Sequence, residues 1–166
     1  DGYDGAKVSW KIASSDEIQL IVDEGLRYSL GKVRVLGVSK SDQKHMARLF
    51  RKVAEKDRFL FGGVAPFRED DVDEGLLNVR RELNADGYWD AQVLVQERWI
   101  DGRTGVVDLT LDCSPGSRCL IGEPKVMSVD GRGVKLVTHE VMPFVGETAT
   151  TANLNAMRVA AEEIAV

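Results

Sequence analysis

Catalysis needs a nucleophile with its base, a metal-ligand cluster or a phosphate-cradling loop, and this chain supplies few residues for any of them. Its two cysteines, Cys113 and Cys119, flank Ser114-Pro115-Gly116-Ser117-Arg118. Two thiols are too few for a disulfide-built scaffold, and they lack the partners zinc requires. His45 and His139 are isolated from each other and from any serine or cysteine arrangement, so each reads as a surface or helix-end residue. The acid run from Glu69 to Glu74 has the look of a metal site. No oxygen-ligand loop pattern accompanies it, and acids at this place fit the start of a helix, where they complement the macrodipole. Gly62-Gly63 lacks the Lys-Ser/Thr of a phosphate loop and is a loop signal. No catalytic residue, metal or cofactor is assigned, and an enzyme is the least favoured class.

Bulk composition narrows the remaining classes. The 166 residues suffice for one ordinary domain or two small ones. With 22 Lys and Arg against 27 Asp and Glu, the net charge of −5 argues against a nucleic-acid partner, which calls for a basic surplus. No uninterrupted apolar run approaches the ~18–20 residues of a membrane-spanning helix. Asp1 opens no signal-peptide pattern, so the chain reads as the interior of a longer precursor.

Hydrophobic periodicity gives the elements. Ala6, Val8, Trp10 and Ile12 alternate with Lys7, Ser9 and Lys11, the period of a half-buried strand. Ser14-Ser15-Asp16 turns the chain, Glu17 to Val22 returns it, and Gly25 closes the hairpin. Arg27 to Val38 reads as a third strand. Over residues 41–54 the period changes: Met46, Leu49, Phe50 and Val53 form one helical stripe, with Ser41 as N-cap. Lys44, Arg48, Arg51 and Lys52 lie off that stripe, as a solvated face or as a contact for anionic lipid head groups. A loop from Asp57 to Phe67 precedes a second helix with Val72, Leu76, Val79 and Leu83 inward, closed by Gly87. On the next strand Ala91, Val93, Val95, Glu97 and Trp99 share one face, and Gln92, Leu94, Gln96 and Arg98 the other. Asp101-Gly102-Arg103 makes a hairpin turn before Val106 to Leu111. A strand from Leu120 to Val129, a short helix from Val134 to Val141 and a helix capped by Thr150 or Thr151 complete the pattern. That last helix carries Leu154, Met157, Ala161 and Ile164 inward.

The chain also repeats itself. Asp1-Gly2-Tyr3-Asp4-Gly5-Ala6-Lys7-Val8 returns as Asp86-Gly87-Tyr88-Trp89-Asp90-Ala91-Gln92-Val93, and Leu30-Gly31-Lys32-Val33 returns as Ile121-Gly122 before Val126. Registered copies mean a tandem array of small modules. The order strand-strand, strand-helix-helix-strand-strand, strand-helix-helix contains one complete module.

In combination these residues resemble the polypeptide-transport-associated (POTRA) domain. The matches are Gly31 and Gly37 bracketing the first strand, Pro66-Phe67 before the second helix, Leu83 followed by Gly87-Tyr88, Ala91 and Val93 opening the second strand, and Gly116 ending the third. Gly122, Gly131 and Pro143-Phe144 repeat part of the set, over a span much shorter than Gly37 to Pro66, which implies a clipped first helix or an unusual loop. The resemblance implies an α+β fold of tandem β-α-α-β-β modules, each a three-stranded sheet covered on one face by two helices. Residues 1–26 would close a preceding module, 27–116 form a complete one, and 117–166 open a following one.

Functionally, the resemblance implies binding in the periplasm, within the arm of an outer-membrane protein that assembles or translocates β-barrels. The full-length protein would carry a membrane β-barrel. Its partners would be unfolded outer-membrane β-barrel polypeptides and assembly lipoproteins. The alternatives are a two-partner secretion transporter with one dedicated client, and a scaffold module that recruits partner proteins. In the family the second strand is the open edge, which places a peptide-binding edge at Ala91, Gln92, Val93, Leu94, Val95, Gln96, Glu97 and Trp99. Leu94 would grip a client or pack on a neighbouring module. Trp89 and Trp99 are partner contacts or packing residues, and Tyr3 and Tyr88 fix the helix-to-strand corner. Placing Gly116 on Gly25 sets Cys113 and Cys119 opposite Val22 and Tyr28, so an oxidising periplasm leaves two readings, a disulfide or free thiols. Strands 6–12 and 17–22 lack covering helices while the C-terminal helices lack a hairpin, so head-to-tail self-association through these end pieces, or misfolding of the ends, is expected.

Overall fold

The computed structural model describes residues 3–4, 7–14, 17–58, 62–127 and 134–163. Several expectations fall outside that set: Gly2 and Ala6 of the first repeat, the Ser15-Asp16 turn, the Phe59–Phe61 part of the loop, Val129, Gly131 and Ile164. In order the elements are β1 (Tyr3–Asp4), β2 (Lys7–Ser14), β3 (Glu17–Asp23), β4 (Leu26–Arg27), β5 (Ser29–Leu36), α1 (Lys40–Glu55), α2 (Glu69–Ala85), β6 (Gln92–Ile100), β7 (Val106–Ser114) and α3 (Val134–Val141). A 3₁₀ turn (Met142–Phe144) and α4 (Thr151–Glu162) follow. The chain divides into two compact units, one of Asp1–Val79 with Val93–Cys113 and the other of Arg80–Gln92 with Ser114–Val166.

In the first unit β7 is the middle strand of a three-stranded sheet ordered β5-β7-β6. Its alternation is strict: Val107, Leu109, Leu111 and Cys113 are almost fully buried, and the intervening residues are half-buried. β5 runs parallel to β7, with Val33 opposite Leu109 and Val35 opposite Leu111, after an irregularity between Leu30 and Val33. At that irregularity the Lys32 N–H donates to Asp108 Oδ1 at 2.6 Å. Leu30 of β5, Phe50 and Ala54 of α1, Phe67 just before α2 and Val72 in its first turn line one small gap, which joins sheet and helices into one core.

Local chemistry sets the helix ends. Ser39, not Ser41, is the N-cap of α1: its backbone is extended and its side chain accepts the Asp42 N–H. Its hydroxyl also donates to Asp42 Oδ2 at 2.6 Å, so a residue already outside the helix takes the role. α2 opens on Glu69, Asp70 and Asp71 as expected. It closes at Gly87, where the Tyr88 N–H donates to Leu83 O and the Gly87 N–H to Asn84 O with Gly87 at φ +93°. That paired bond pattern is the left-handed helix stop that glycine favours.

The repeat seen in the sequence is also a repeat of hydrogen bonds. In the first unit the Leu30 N–H donates to Ala65 O and the Phe67 N–H to Tyr28 O, with a bridge between Ser29 and Pro66. In the second, the Ile121 N–H donates to Glu147 O and the Ala149 N–H to Cys119 O, with a bridge between Leu120 and Thr148. The counterpart of Pro66-Phe67 is therefore Thr148-Ala149, not Pro143-Phe144. Pro143 and Phe144 lie instead in the 3₁₀ turn directly after α3. The expected clipping of the first helix is present, since α3 has 8 residues against 16 in α1. The expected strand from Leu120 to Val129 is reduced to the single bridge at Leu120, because no strand pairs with residues 122–127. A strand persists through its ladder partners, and this segment has none among the described residues.

Candidate edge-strand binding site

β6 lies at one end of the sheet and pairs with β7 alone among the described strands. The other end is not equally open. β5 is overlaid at Tyr28–Leu30 by the 65–67 segment, and Arg51 Nη1 donates to the Gly31 carbonyl. This arginine, read from the sequence as part of a basic helix face, is thus tied to the sheet, while Lys44, Arg48 and Lys52 are exposed.

Along β6 the side chains alternate as expected only at first. Ala91 and Val93 are buried, Val95 is half-buried, and Gln92, Leu94 and Gln96 are exposed. Glu97 and Trp99 then line an open depression of about 340 Å³ together with Lys32, Arg34, Asp108 and Thr110. This is the face away from the helices, the half-exposed side of the β7 alternation. Arg98 faces the other way, with its guanidinium 5.1 Å from the centre of the Phe67 ring and its two terminal nitrogens on Glu69 at 2.6 and 2.8 Å. The expectation that Glu97 and Trp99 share a face with Val93 and Val95 is therefore corrected. The alternation changes phase between Val95 and Glu97, as an inserted residue makes it do, and such insertions concentrate at sheet edges.

The phase change fixes which main-chain groups face outward. The Asp101 N–H donates to Val106 O at 2.9 Å, so alternation points the Trp99 N–H toward β7. Side-chain side and N–H side are locked together along a strand of L-residues. Helix-facing Val93 and Val95 therefore turn their N–H and C=O groups away from β7, to the open flank. Leu94 is 61% exposed and Trp99 56%, which leaves apolar surface beside those groups. The hairpin end is held by Asp101, whose carboxylate accepts the Arg103 N–H and the Thr104 hydroxyl; these bonds hold it below the ordinary carboxylate range, the Arg103 bond foremost.

The other residues singled out in the sequence have the following surroundings. Trp89 Nε1 donates to Ala149 O at 2.7 Å, and Tyr88 carries the Arg118 guanidinium 5.1 Å above its ring. In the sequence repeat Arg118 and Tyr88 correspond to Arg27 and Tyr3, which stand opposite each other in the β4–β1 register. Within the acid run, burial raises the Asp71 carboxyl above its usual range while Arg68 opposes the rise, and Arg68 pairs with Asp57. Among the described residues no group of three or more His, Cys, Asp or Glu is arranged to hold a metal. His45 and His139 are exposed. No helix of the described residues is long and apolar enough to cross a membrane.

Both cysteines are free thiols here, Cys113 buried and Cys119 half-buried. Burial first, and Asp112 second, push the Cys113 thiol up to about 11, so it stays protonated and unreactive at neutral pH. Alkylation of the native protein without reductant should label Cys119 and spare Cys113, and unfolding should make both reactive. Labelling of neither after unfolding would establish a bridge.

No family model matches the sequence, and no curated protein matches it. Solved structures do. The POTRA3–5 segment of BamA from Haemophilus influenzae superposes over 98% of this chain with a TM-score of 0.54 and 19% identity. The N-terminal domain of Omp85 from the thermophilic cyanobacterium Thermosynechococcus elongatus aligns over 99% of the chain and 67% of its own, with a TM-score of 0.44 and 14% identity. The chain has the α+β fold of tandem POTRA modules. It spans 63% of the length of the BamA segment.

Proposed function

We propose that this chain is a section of a periplasmic POTRA arm serving outer-membrane β-barrel assembly, and that β6 takes up extended segments of unfolded barrel polypeptides as an added strand. One observation carries the reading: β6 ends the three-stranded sheet and pairs with β7 alone among the described strands, and alternation along it turns the valences of Val93 and Val95 outward. Main-chain bonding supplies affinity with little sequence demand, which suits many clients. Leu94 and Trp99 add apolar contact without fixing a sequence. The likeness in fold to BamA POTRA domains supports the setting. A membrane barrel in the full-length protein and lipoprotein partners rest on the same resemblance. So does the assignment of residues 1–26, 27–116 and 117–166 to three successive modules; the repeated hydrogen-bond pattern supports the second and third as copies of one unit.

Proline at Val95 tests the reading. It removes one outward N–H and sets a ring in the path of an incoming strand, while the ladder to β7 keeps its own donors. Val95→Pro should weaken binding of a barrel-strand peptide by about tenfold or more, the value of one lost hydrogen bond plus the obstruction, with an unchanged circular dichroism spectrum. Equal affinity in parent and variant would contradict strand addition at β6.

A further inference from the structure

The exposed side of α1 carries a ladder of cations. Lys40, Lys44, Arg48, Lys52 and Lys56 follow one another at intervals of four residues, and all five are exposed. The first four belong to the helix and Lys56 caps its end. On a 3.6-residue helix that interval winds slowly. The ladder therefore crosses the half opposite the buried Met46, Phe50, Val53 and Ala54, with Arg48 at its centre. Every exposed residue of α1 is polar or charged.

Folding does not call for such a row. Like charges four residues apart on a helix repel, and Lys40 opens the helix, where the macrodipole disfavours a cation. The two acids of the helix are engaged elsewhere: Asp42 accepts the Ser39 hydroxyl and Glu55 pairs with Arg51, an arginine that also bonds the Gly31 carbonyl of β5. Lys56 pairs with Glu74 of α2. Lys40, Lys44, Arg48 and Lys52 have no ion pair among the described residues. In a chain of net charge −5, four unpaired cations in one row are a concentration of the minority sign. Locally unfavourable choices of this kind are retained where they serve a function.

We propose that this ridge rests on a membrane surface bearing anionic phospholipid head groups. Charge complementarity selects an anionic partner. The lack of any exposed apolar side chain on the helix selects a head-group layer over a protein, because protein interfaces draw on aromatic and apolar anchors and are poor in lysine. Charged heads on long, flexible stems meet separate phosphates without a fixed geometry. α1 is tied to β5 through Arg51 and α2 to β6 through Glu69 and Arg98, so a module lying on the outer side of α1 leaves the β6 edge, beyond α2, clear of the surface. The contact is independent of strand addition at β6.

Vesicle sedimentation with the whole chain tests it. Vesicles of equal parts phosphatidylglycerol and phosphatidylcholine should carry the chain down at low salt, and pure phosphatidylcholine vesicles should not. Salt near ~1 M, which shortens the screening length to about 3 Å, should release it. Each cation near the surface is worth about fivefold in partitioning. Lys44→Gln, Arg48→Gln and Lys52→Gln together should therefore weaken binding roughly a hundredfold, with an unchanged circular dichroism spectrum because all three side chains are exposed. Arg80→Gln, Arg81→Gln and Arg103→Gln together remove the same charge from exposed positions elsewhere and should leave most of the binding intact. Val95→Pro should bind vesicles as the parent does, which separates this contact from the edge of β6. No sedimentation of the parent, equal sedimentation with neutral vesicles, or equal losses in the two triple variants would each overturn the proposal. So would a dimer in vesicle-free solution that the ridge variant abolishes, since it would assign the ridge to an acidic protein surface.

Discussion

Gly37→Ala is expected to lower stability by about 2–5 kcal/mol, the sum of forcing a side chain into the left-handed region and overpacking a core. Gly37 sits at φ +81°, and a Cβ there would lie 1.8 Å from the Cys113 carbonyl oxygen and 2.9 Å from its carbon. Those atoms are main chain of β7, the middle strand, so they have no room to yield without breaking the sheet. A melting temperature lower by about 10 °C or more should accompany the change. Gly122→Ala is the matched control. Gly122 is the repeat counterpart of Gly31, yet a Cβ on it meets nothing within 4 Å, so its stability should shift by less than about 0.5 kcal/mol. Equal effects at the two sites would mean that the packing of Gly37 against β7 is misdescribed.

Phe50→Ala should cost about 3–5 kcal/mol, as loss of a buried ring does. Phe50 is 2% exposed, and its ring fits against Gly75 of α2, where a Cβ would come within 2.7 Å of Cδ2 and 2.9 Å of Cε2. Helix propensity alone would make Gly75→Ala stabilising by about 1 kcal/mol. The fixed ring reverses that sign, so Gly75→Ala should destabilise. Phe50→Leu with Gly75→Ala should then be more stable than the two single losses added together, with a coupling of about 0.5–3 kcal/mol. Urea unfolding of the four proteins measures it, and strict additivity would contradict the contact.

These effects mark where the sequence was legible. Buried stripes such as Met46-Phe50-Val53 and the alternation through Val107 to Leu111 follow from periodicity, because water exclusion acts on each residue according to its own side chain. Gly87 and the acids at the start of α2 were legible for a similar reason, since each satisfies a local backbone need. The sequence does not announce the phase change in β6: neither Val95 nor Gln96 carries a turn residue, so a period-two reading passes straight through and puts Arg98 on the wrong face. Its contact with Phe67 and Glu69 depends on tertiary placement. Pro143-Phe144 misled in another way, by copying the composition of Pro66-Phe67 at a position where the main-chain bonds of Thr148-Ala149 do that work. The strand expected after Leu120 failed because a ladder needs a neighbour, which no local pattern supplies.

Amide hydrogen exchange along β6 tests the central claim most directly. In the free protein the outward amides of Val93 and Val95 should exchange much faster than the Trp99 amide, which faces β7. Addition of a barrel-strand peptide should slow the outward set and leave the inward one unchanged. Uniformly slow exchange at Val93 and Val95 before any peptide is added, or protection that appears only elsewhere in the chain, would contradict the account.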